Sequence, residues 1–256
     1  MDARDTFSLA GKVAVVTGGS RGIGRAIAEG FARAGADVVI ASRKLGNCEE
    51  VAERVRAETG RRALAVRTHV GHWADCDRLA DVAYAEFGRC DVLVNNAGMS
   101  PLYDGLDSVT EEYFDKVTSV NLKGPFRLAS LIGARMAHGD GGSIINVSSI
   151  SSLRPGSGEL VYACAKAGLN ALTIGLAEAY GPKVRANCIL PGAVLTDIAA
   201  AWTPERRMSA GRAAPLRRAG VAGDFVGTAL WLASDASAWV TGELVRVDGG
   251  AYRQMS

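Results

Sequence analysis

The sequence predicts an α/β fold in which one parallel sheet lies between two layers of helices. Three observations predict it. Short β-branched runs alternate with longer helix-like stretches along the 256 residues. Several of the runs are apolar throughout, as strands covered on both faces must be. The alternation itself calls for right-handed crossovers, which bring each strand back parallel to the one before.

The elements follow in order. Val13–Thr17 is the first strand, and a helix over Gly22–Ala34 leaves it through a glycine-rich turn. Strand Val38–Ala41 precedes helix Cys48–Thr59, and strand Ala63–Val66 precedes helix Ala74–Phe87. Val92–Asn95 is the fourth strand. A long helical pattern then covers Glu111–Ala137, with Pro125 inside it. Proline lacks the N–H that a helix interior needs, so a kink is expected there. Strand Ser143–Val147, helix Val161–Ala179, strand Val184–Ile189, helix Asp224–Leu232 and strand Leu244–Val247 complete the series. No linker, repeat or low-complexity segment interrupts it, so residues 1–256 read as a single domain. The one long irregular stretch is Gly192–Ala222, and such loops tend to be functional. Its part from about 193 to 220 reads as a lid over the substrate.

Composition excludes several classes. Lys and Arg number 29 against 27 Asp and Glu, a net charge of +2. That balance argues against nucleic acid or an anionic membrane as the partner. Hydrophobic residues at 48% and charged residues at 22% are ordinary for a folded chain. Five cysteines without a CxxC pair make no disulfide framework or zinc module. A reducing, cytoplasmic compartment fits them. The start carries Asp2, Arg4 and Asp5 and reads as no signal peptide. No unbroken apolar run approaches the ~18 residues of a membrane span.

The first turn reads Thr17-Gly18-Gly19-Ser20-Arg21-Gly22-Ile23-Gly24. Glycines there let the backbone turn sharply and approach a pyrophosphate, and the following helix presents N–H groups and a positive dipole end to it. Gly18, Ser20, Arg21, Gly22, Ile23 and Gly24 are the candidates for that contact. The second strand ends Ile40-Ala41-Ser42-Arg43-Lys44. An NAD site places an acid about 20 residues after the turn, to accept from the ribose 2′-OH. The nearby acid, Asp37, is at the wrong end of the strand. Ser42 and Arg43, with Arg21, suit a 2′-phosphate instead, so NADP(H) is expected over NAD(H).

Tyr162 and Lys166 are four residues apart on one predicted helix and share a face. An ammonium beside a phenol favours phenolate, which suits proton exchange with a carbonyl or alcohol oxygen. Ser149 ends the fifth strand, at the sheet edge that also carries the glycine turn, and can hydrogen-bond the same oxygen. Ser148 competes with it, because a slip of one residue exchanges their directions. Pro125 would leave the carbonyl of Asn121, four residues back, without its helical donor. That carbonyl could then hold a water linking Lys166 to solvent. The competing reading is a helix bend without chemistry.

Together, Thr17-Gly18-x-x-x-Gly22-x-Gly24, Asn95-Asn96-Ala97-Gly98, Ser149, Tyr162-x-x-x-Lys166, Pro191-Gly192 and Val247-Asp248-Gly249-Gly250 resemble the short-chain dehydrogenase/reductase family, in its order. The resemblance implies a Rossmann fold with a seven-stranded parallel sheet, doubly wound. It implies hydride transfer between a nicotinamide and a carbonyl or alcohol. By it, Asn121, Ser149, Tyr162 and Lys166 form the catalytic set, and Tyr162 and Lys166 also meet the nicotinamide ribose. Asn95, Ala97 and Gly98 would lie along the cofactor, with Asn95 near the adenosine. Pro191 and Gly192 would approach the nicotinamide, and Thr196 its carboxamide. His69 stands where the family often has Asp near the adenine, so adenine contacts would shift to His69 and the backbone of Val70. His69, His72 and Cys76 lack a four-ligand spacing, and no metal is expected.

Met99, Leu102, Tyr103, the Ser151–Glu159 loop and the lid with Trp202 would shape the substrate pocket. Arg206, Arg207, Arg212, Arg217 and Arg218 would suit an acidic carrier protein or coenzyme A, and hence a 3-oxoacyl thioester reductase. The plainer reading is a solvated charged face. A third reading is a nucleotide-binding protein without turnover, against which the full Ser-Tyr-Lys-Asn set speaks. The helix after Tyr162 is small or apolar on more than one face, so a homo-oligomer, a tetramer or dimer, is expected.

Overall fold

The computed structural model describes residues 3–195, 211–212 and 214–252. A short helix, α1 (Ala3–Thr6), precedes β1 (Val13–Thr17). There follow α2 (Gly22–Arg33), β2 (Asp37–Ser42), α3 (Leu45–Thr59), β3 (Ala63–Arg67), α4 (Trp73–Phe87) and β4 (Val92–Asn95). Then come α5 (Glu111–Thr118), α6 (Gly124–His138), β5 (Gly142–Val147), α7 (Leu160–Tyr180), β6 (Val184–Pro191), α8 (Val226–Ala233) and β7 (Leu244–Val247). The seven strands form one sheet in the order β3-β2-β1-β4-β5-β6-β7. Every pairing is parallel.

Strand alternation divides the core. Ala14, Val16, Val38, Ile40, Val92, Val94 and Ile145 point to one face, under Ile27 and Phe31 of α2, Val51 of α3, and Ala229 and Leu232 of α8. Val15, Val39, Leu93 and Ile144 point to the other, under Leu79 of α4, Leu128 and Ile132 of α6, and Leu176 of α7. Both faces are therefore dry, which is why the strands read as unbroken apolar runs. The order in which strands are added reverses between β1 and β4, the position beyond whose carboxyl ends sheets of this kind bind ligands.

Two expectations need correction. The pattern over Glu111–Ala137 is not one helix. A π-helical turn, Ser119–Lys123, separates α5 from α6, and Gly124 N–H donates to the Ser119 carbonyl five residues back. Widening the helix is how the chain accommodates Pro125, which sits in the first turn of α6 where its missing N–H costs least. The second concerns α7. Counting unbroken apolar residues overlooked that Ser157–Tyr180, with a mean hydropathy of 1.4, is long and apolar enough to cross a membrane. Its alanines, leucines and isoleucine raise the mean without forming an unbroken run. Here the helix packs on β6 and α6 and carries the buried Lys166.

Candidate active site

The glycine turn and the end of β4 are built as one unit. Thr17 Oγ1 donates to the Val94 carbonyl at 3.2 Å and accepts the N–H groups of Asn96 and Ala97 at 3.0 and 3.1 Å. Asn96 Nδ2 donates to the carbonyls of Thr17 and Gly18 at 2.9 and 3.3 Å. This fit explains two glycines. Gly18 has φ +64°, and a Cβ on Gly24 would lie 2.3 Å from Asn96 Nδ2 and 2.4 Å from the Gly18 carbonyl oxygen. The first turn of α2 has no side-chain cap hydrogen bond and no acidic residue, so its N-terminal end suits an anion.

Asn95 behaves differently from its expected role. Its side chain is buried, with Nδ2 donating to Asn146 Oδ1 at 3.0 Å and to the Pro125 carbonyl at 3.4 Å. It braces β4 against β5 and α6, while Oδ1 is buried without a protein partner. Asn96, its neighbour, orders the turn, and the sequence reading gave it no role. A polar residue at a strand end alternates with its neighbour between core and crevice, and that phase is what the reading lacked.

At the adenosine end, Arg43 is exposed just beyond β2. Asp37 lies at the far end of β2, 2.7 Å from Arg61. Ser42 Oγ lies 3.0 Å from Cys48 Sγ and 3.4 Å from the Lys44 carbonyl, so its hydroxyl turns back along its own chain. His69 stacks on His72 with ring centroids 4.2 Å apart. Its backbone N–H donates to Asp75, while Nδ1 is buried without a protein partner. Burial, then His72 and Arg43, hold its pKa below the ordinary histidine value. Val70 is buried, and its carbonyl accepts from the Cys76 thiol. The two stacked imidazoles and that thiol do not converge on a common point. The uncapped helix end and the orphaned Nδ1 fit a dinucleotide whose pyrophosphate meets Gly18 to Gly24 and whose adenosine meets Arg43 and His69.

The catalytic candidates converge around Gly98. A Cβ there would lie 3.0 Å from Asn121 Oδ1 and 3.5 Å from Lys166 Nζ. Asn121 is fully buried in the π-helical turn. Its Nδ2 donates to the carbonyls of Met99 and Val117, both at 2.8 Å, and Oδ1 accepts from Met99 N–H. The side chain is thus a clamp on the loop after β4, and only the carbonyl of Asn121 remains for the role expected of it. Lys166, 2% exposed, donates from Nζ to the Val147 carbonyl at 2.7 Å. The two serines are placed differently. Ser148 is buried and its Oγ donates into α7, to the Lys166 carbonyl, whereas Ser149 is only partly buried and its side chain bears on Tyr162.

Tyr162 departs from expectation in its acidity. Burial, the largest influence, pushes its pKa up to about 12; the Ser149 hydrogen bond acts downward and Glu159 upward. The Lys166 ammonium lies 5.7 Å from the ring centroid, over the ring. Burial lowers the Lys166 pKa to about 8.

The lid falls largely outside the described residues, and so do Thr196, Trp202, Arg206 and Arg207. Its two ends are visible and joined. Leu195 N–H donates to the Gly220 carbonyl at 2.8 Å, and Gly220 N–H to the Ala193 carbonyl at 2.9 Å. Gly192 N–H donates to the Val247 carbonyl, which ties the Pro191-Gly192 corner to β7. Arg218 is paired with Asp224 through two contacts, at 2.6 and 2.8 Å.

Comparison with known proteins gives concordant matches. The protein-family model described as Enoyl-(Acyl carrier protein) reductase matches residues 18–252. A short-chain dehydrogenase/reductase of Aspergillus oryzae is 37% identical over 250 residues, covering 95% of this chain and 96% of the relative. A 7α-hydroxysteroid dehydrogenase, solved with NADH and 7-oxo glycochenodeoxycholic acid, superposes with a TM-score of 0.94 at 32% identity over the whole of both chains. The NADPH-dependent 3-quinuclidinone reductase of Rhodotorula rubra has a TM-score of 0.91 at 29% identity, covering 97% of this chain and 94% of that one.

Proposed function

Because the chain belongs to the short-chain dehydrogenase/reductase family of oxidoreductases, we propose that it carries hydride between NADP(H) and a small ketone or secondary alcohol. The observation that carries this reading is the grouping of Asn121 and Lys166 at Gly98, with the Lys166 ammonium 5.7 Å from the Tyr162 ring centroid and Ser149 bearing on Tyr162. When bound, the reduced dinucleotide supplies a hydride to the carbonyl carbon. Tyr162 gives the proton to the carbonyl oxygen, and Ser149 donates a hydrogen bond that orients that oxygen. Lys166 holds the nicotinamide ribose and, through its proton and a water at the Asn121 carbonyl, restores the proton to Tyr162. In alcohol oxidation every transfer reverses. A phenol that keeps its proton at neutral pH suits the carbonyl-reducing direction.

Preference for NADP(H) is supported by the exposed Arg43 and the absence of an acid at the end of β2. The solved neighbours point both ways, one bound to NADH and one named for NADPH. Competition titration of the two dinucleotides, followed by nicotinamide fluorescence, decides between them; tighter NADH binding would reverse the assignment. A thioester reductase is the second reading, suggested by the acyl-carrier-protein wording of the matched family. Arg218 is already neutralised by Asp224, which weakens the case for a basic docking lid.

The test is a panel of ketones, secondary alcohols and acetoacetyl thioesters followed by NADPH absorbance, with Tyr162→Phe alongside. Removing the acid is expected to cost roughly 10²–10⁴-fold in kcat while dinucleotide affinity changes less than about threefold. Persistent turnover in Tyr162→Phe would remove the mechanism.

A further inference from the structure

A carboxylate stands beside the reacting groups with no part in the reaction described above. Glu159 is the residue preceding α7, three before Tyr162, and its side chain does not cap the helix. Its Oε1 accepts instead from Ser151 Oγ at 2.6 Å. The Ser151 N–H donates to Ser149 Oγ at 3.1 Å, and the Ser149 side chain bears on Tyr162. Glu159, Ser151 and Ser149 thus form one hydrogen-bonded line that ends beside Tyr162.

The surrounding loops hold that line in place. Ser152 Oγ donates to the Ser149 carbonyl at 2.6 Å and accepts from Asn170 Nδ2 at 2.8 Å, which pins the turn to α7. Tyr103 Oη donates to the Ser157 carbonyl at 2.6 Å and accepts the Leu160 N–H at 2.8 Å. Tyr103 therefore satisfies the first turn of α7 from outside and leaves the Glu159 carboxylate to Ser151. Because the Ser151 N–H occupies an acceptor site on Ser149, the Ser149 proton is directed to Tyr162 or to the substrate oxygen.

We propose that Glu159 is a positioning residue of the reaction, which orients Ser149 through Ser151 and by its charge keeps on Tyr162 the proton that carbonyl reduction consumes. The proposal rests on the hydride-transfer reading above. The groups that bear on Tyr162 are the Glu159 carboxylate, the Lys166 ammonium over its ring and the Ser149 hydroxyl, with the Cys188 thiol behind Lys166. A negative charge makes a neighbouring phenolate costlier. Glu159 thereby moves alcohol oxidation, which needs the phenolate, to higher pH.

The test reads Tyr162 directly. Protein labelled with ¹³Cζ-tyrosine gives one NMR signal for each of its six tyrosines, and the one lost in Tyr162→Phe is assigned. Glu159→Gln keeps an acceptor for Ser151 and removes the charge. Its Tyr162 signal is expected to titrate about 0.6–1.2 pH unit lower, the effect of one charge at ~10 Å in a medium of effective dielectric 20–40. The rising limb of alcohol oxidation should move by the same amount, with the dinucleotide KM unchanged. Ser151→Ala cuts the line and keeps the charge; it should lower kcat about tenfold and leave the titration in place. A Glu159→Gln signal at the wild-type position overturns the charge effect, and an unchanged kcat in Ser151→Ala overturns the positioning. Failure of the hydride-transfer reading looks different, because Tyr162→Phe would then retain turnover whatever the titration shows.

Discussion

Lys166 shows what a working residue costs the fold. Its ammonium is buried with one carbonyl as partner, and burial brings its pKa to about 8 from an ordinary value near 10.5. Between those two values the unfolded chain binds more protons than the folded one, so stability rises with pH across that window. Below pH 8 the fold carries the full penalty of the buried charge. Lys166→Met should therefore stabilise the protein at pH 7 by about 1–3 kcal/mol while abolishing turnover, the exchange expected where a group is kept for function. Urea unfolding at pH 7 and pH 9.5 checks it. The gap between variant and wild type should shrink at the higher pH, and a gap that grows would contradict the sign. Residue directions were the least legible part of the sequence. Tyr162, Lys166, Ser149 and Asn121 were recognisable from spacing and from the family resemblance. That Asn95 faces the core and Asn96 the turn depends on strand phase at the very end of β4. The line from Glu159 to Tyr162 depends on loop conformations that no periodicity records.

Elements were far more legible. β1, β4 and β7 match their sequence-read bounds; for β1 and β4 the reason is that an apolar run covered on both faces has sharp ends, whereas β7 is a partly exposed edge strand. The π-helical turn was invisible, since proline announces a broken bond but not the widening that absorbs it. Fit between elements carries a prediction of its own. Gly24 lies where α2 meets the turn, and a methyl group there would collide with Asn96 and with the Gly18 backbone. Gly24→Ala should cost about 1–3 kcal/mol as overpacking. For a chain of this size that lowers Tm by roughly 2–10 °C. Dinucleotide binding should weaken with it, because the turn itself must shift; calorimetry and titration on the same sample check both. An unchanged Tm would mean that Asn96 yields freely, against the hydrogen bonds it makes.

At the scale of the whole molecule, α7 presents two contrasting sides. Ala165, Leu169, Thr173 and Leu176 are buried against the sheet, while Cys164, Ala167, Ala171, Ile174 and Gly175 are exposed. Small residues in a row let another helix approach closely, and Ile174 is 53% exposed in the isolated chain. We propose that this side meets a second copy. Cys164 is the exposed cysteine, the other four being buried, so it reports on that contact. Its reaction with a thiol reagent should be fast at nanomolar protein and at least tenfold slower at concentrations where sedimentation shows an oligomer. Equal rates at both would place the contact elsewhere. The single parallel sheet followed from strand–helix alternation, but nothing in the periodicity gives the order of its strands or distinguishes a face turned to solvent from one turned to a twin.

The paired strand-like contact between Val194 and Gly220 has a consequence for how such a protein changes over generations. It closes the intervening chain at its root, and lengthening a closed loop is cheap, about 0.6 kcal/mol per doubling. A change of length between those two residues is therefore expected to cost the sheet beneath little.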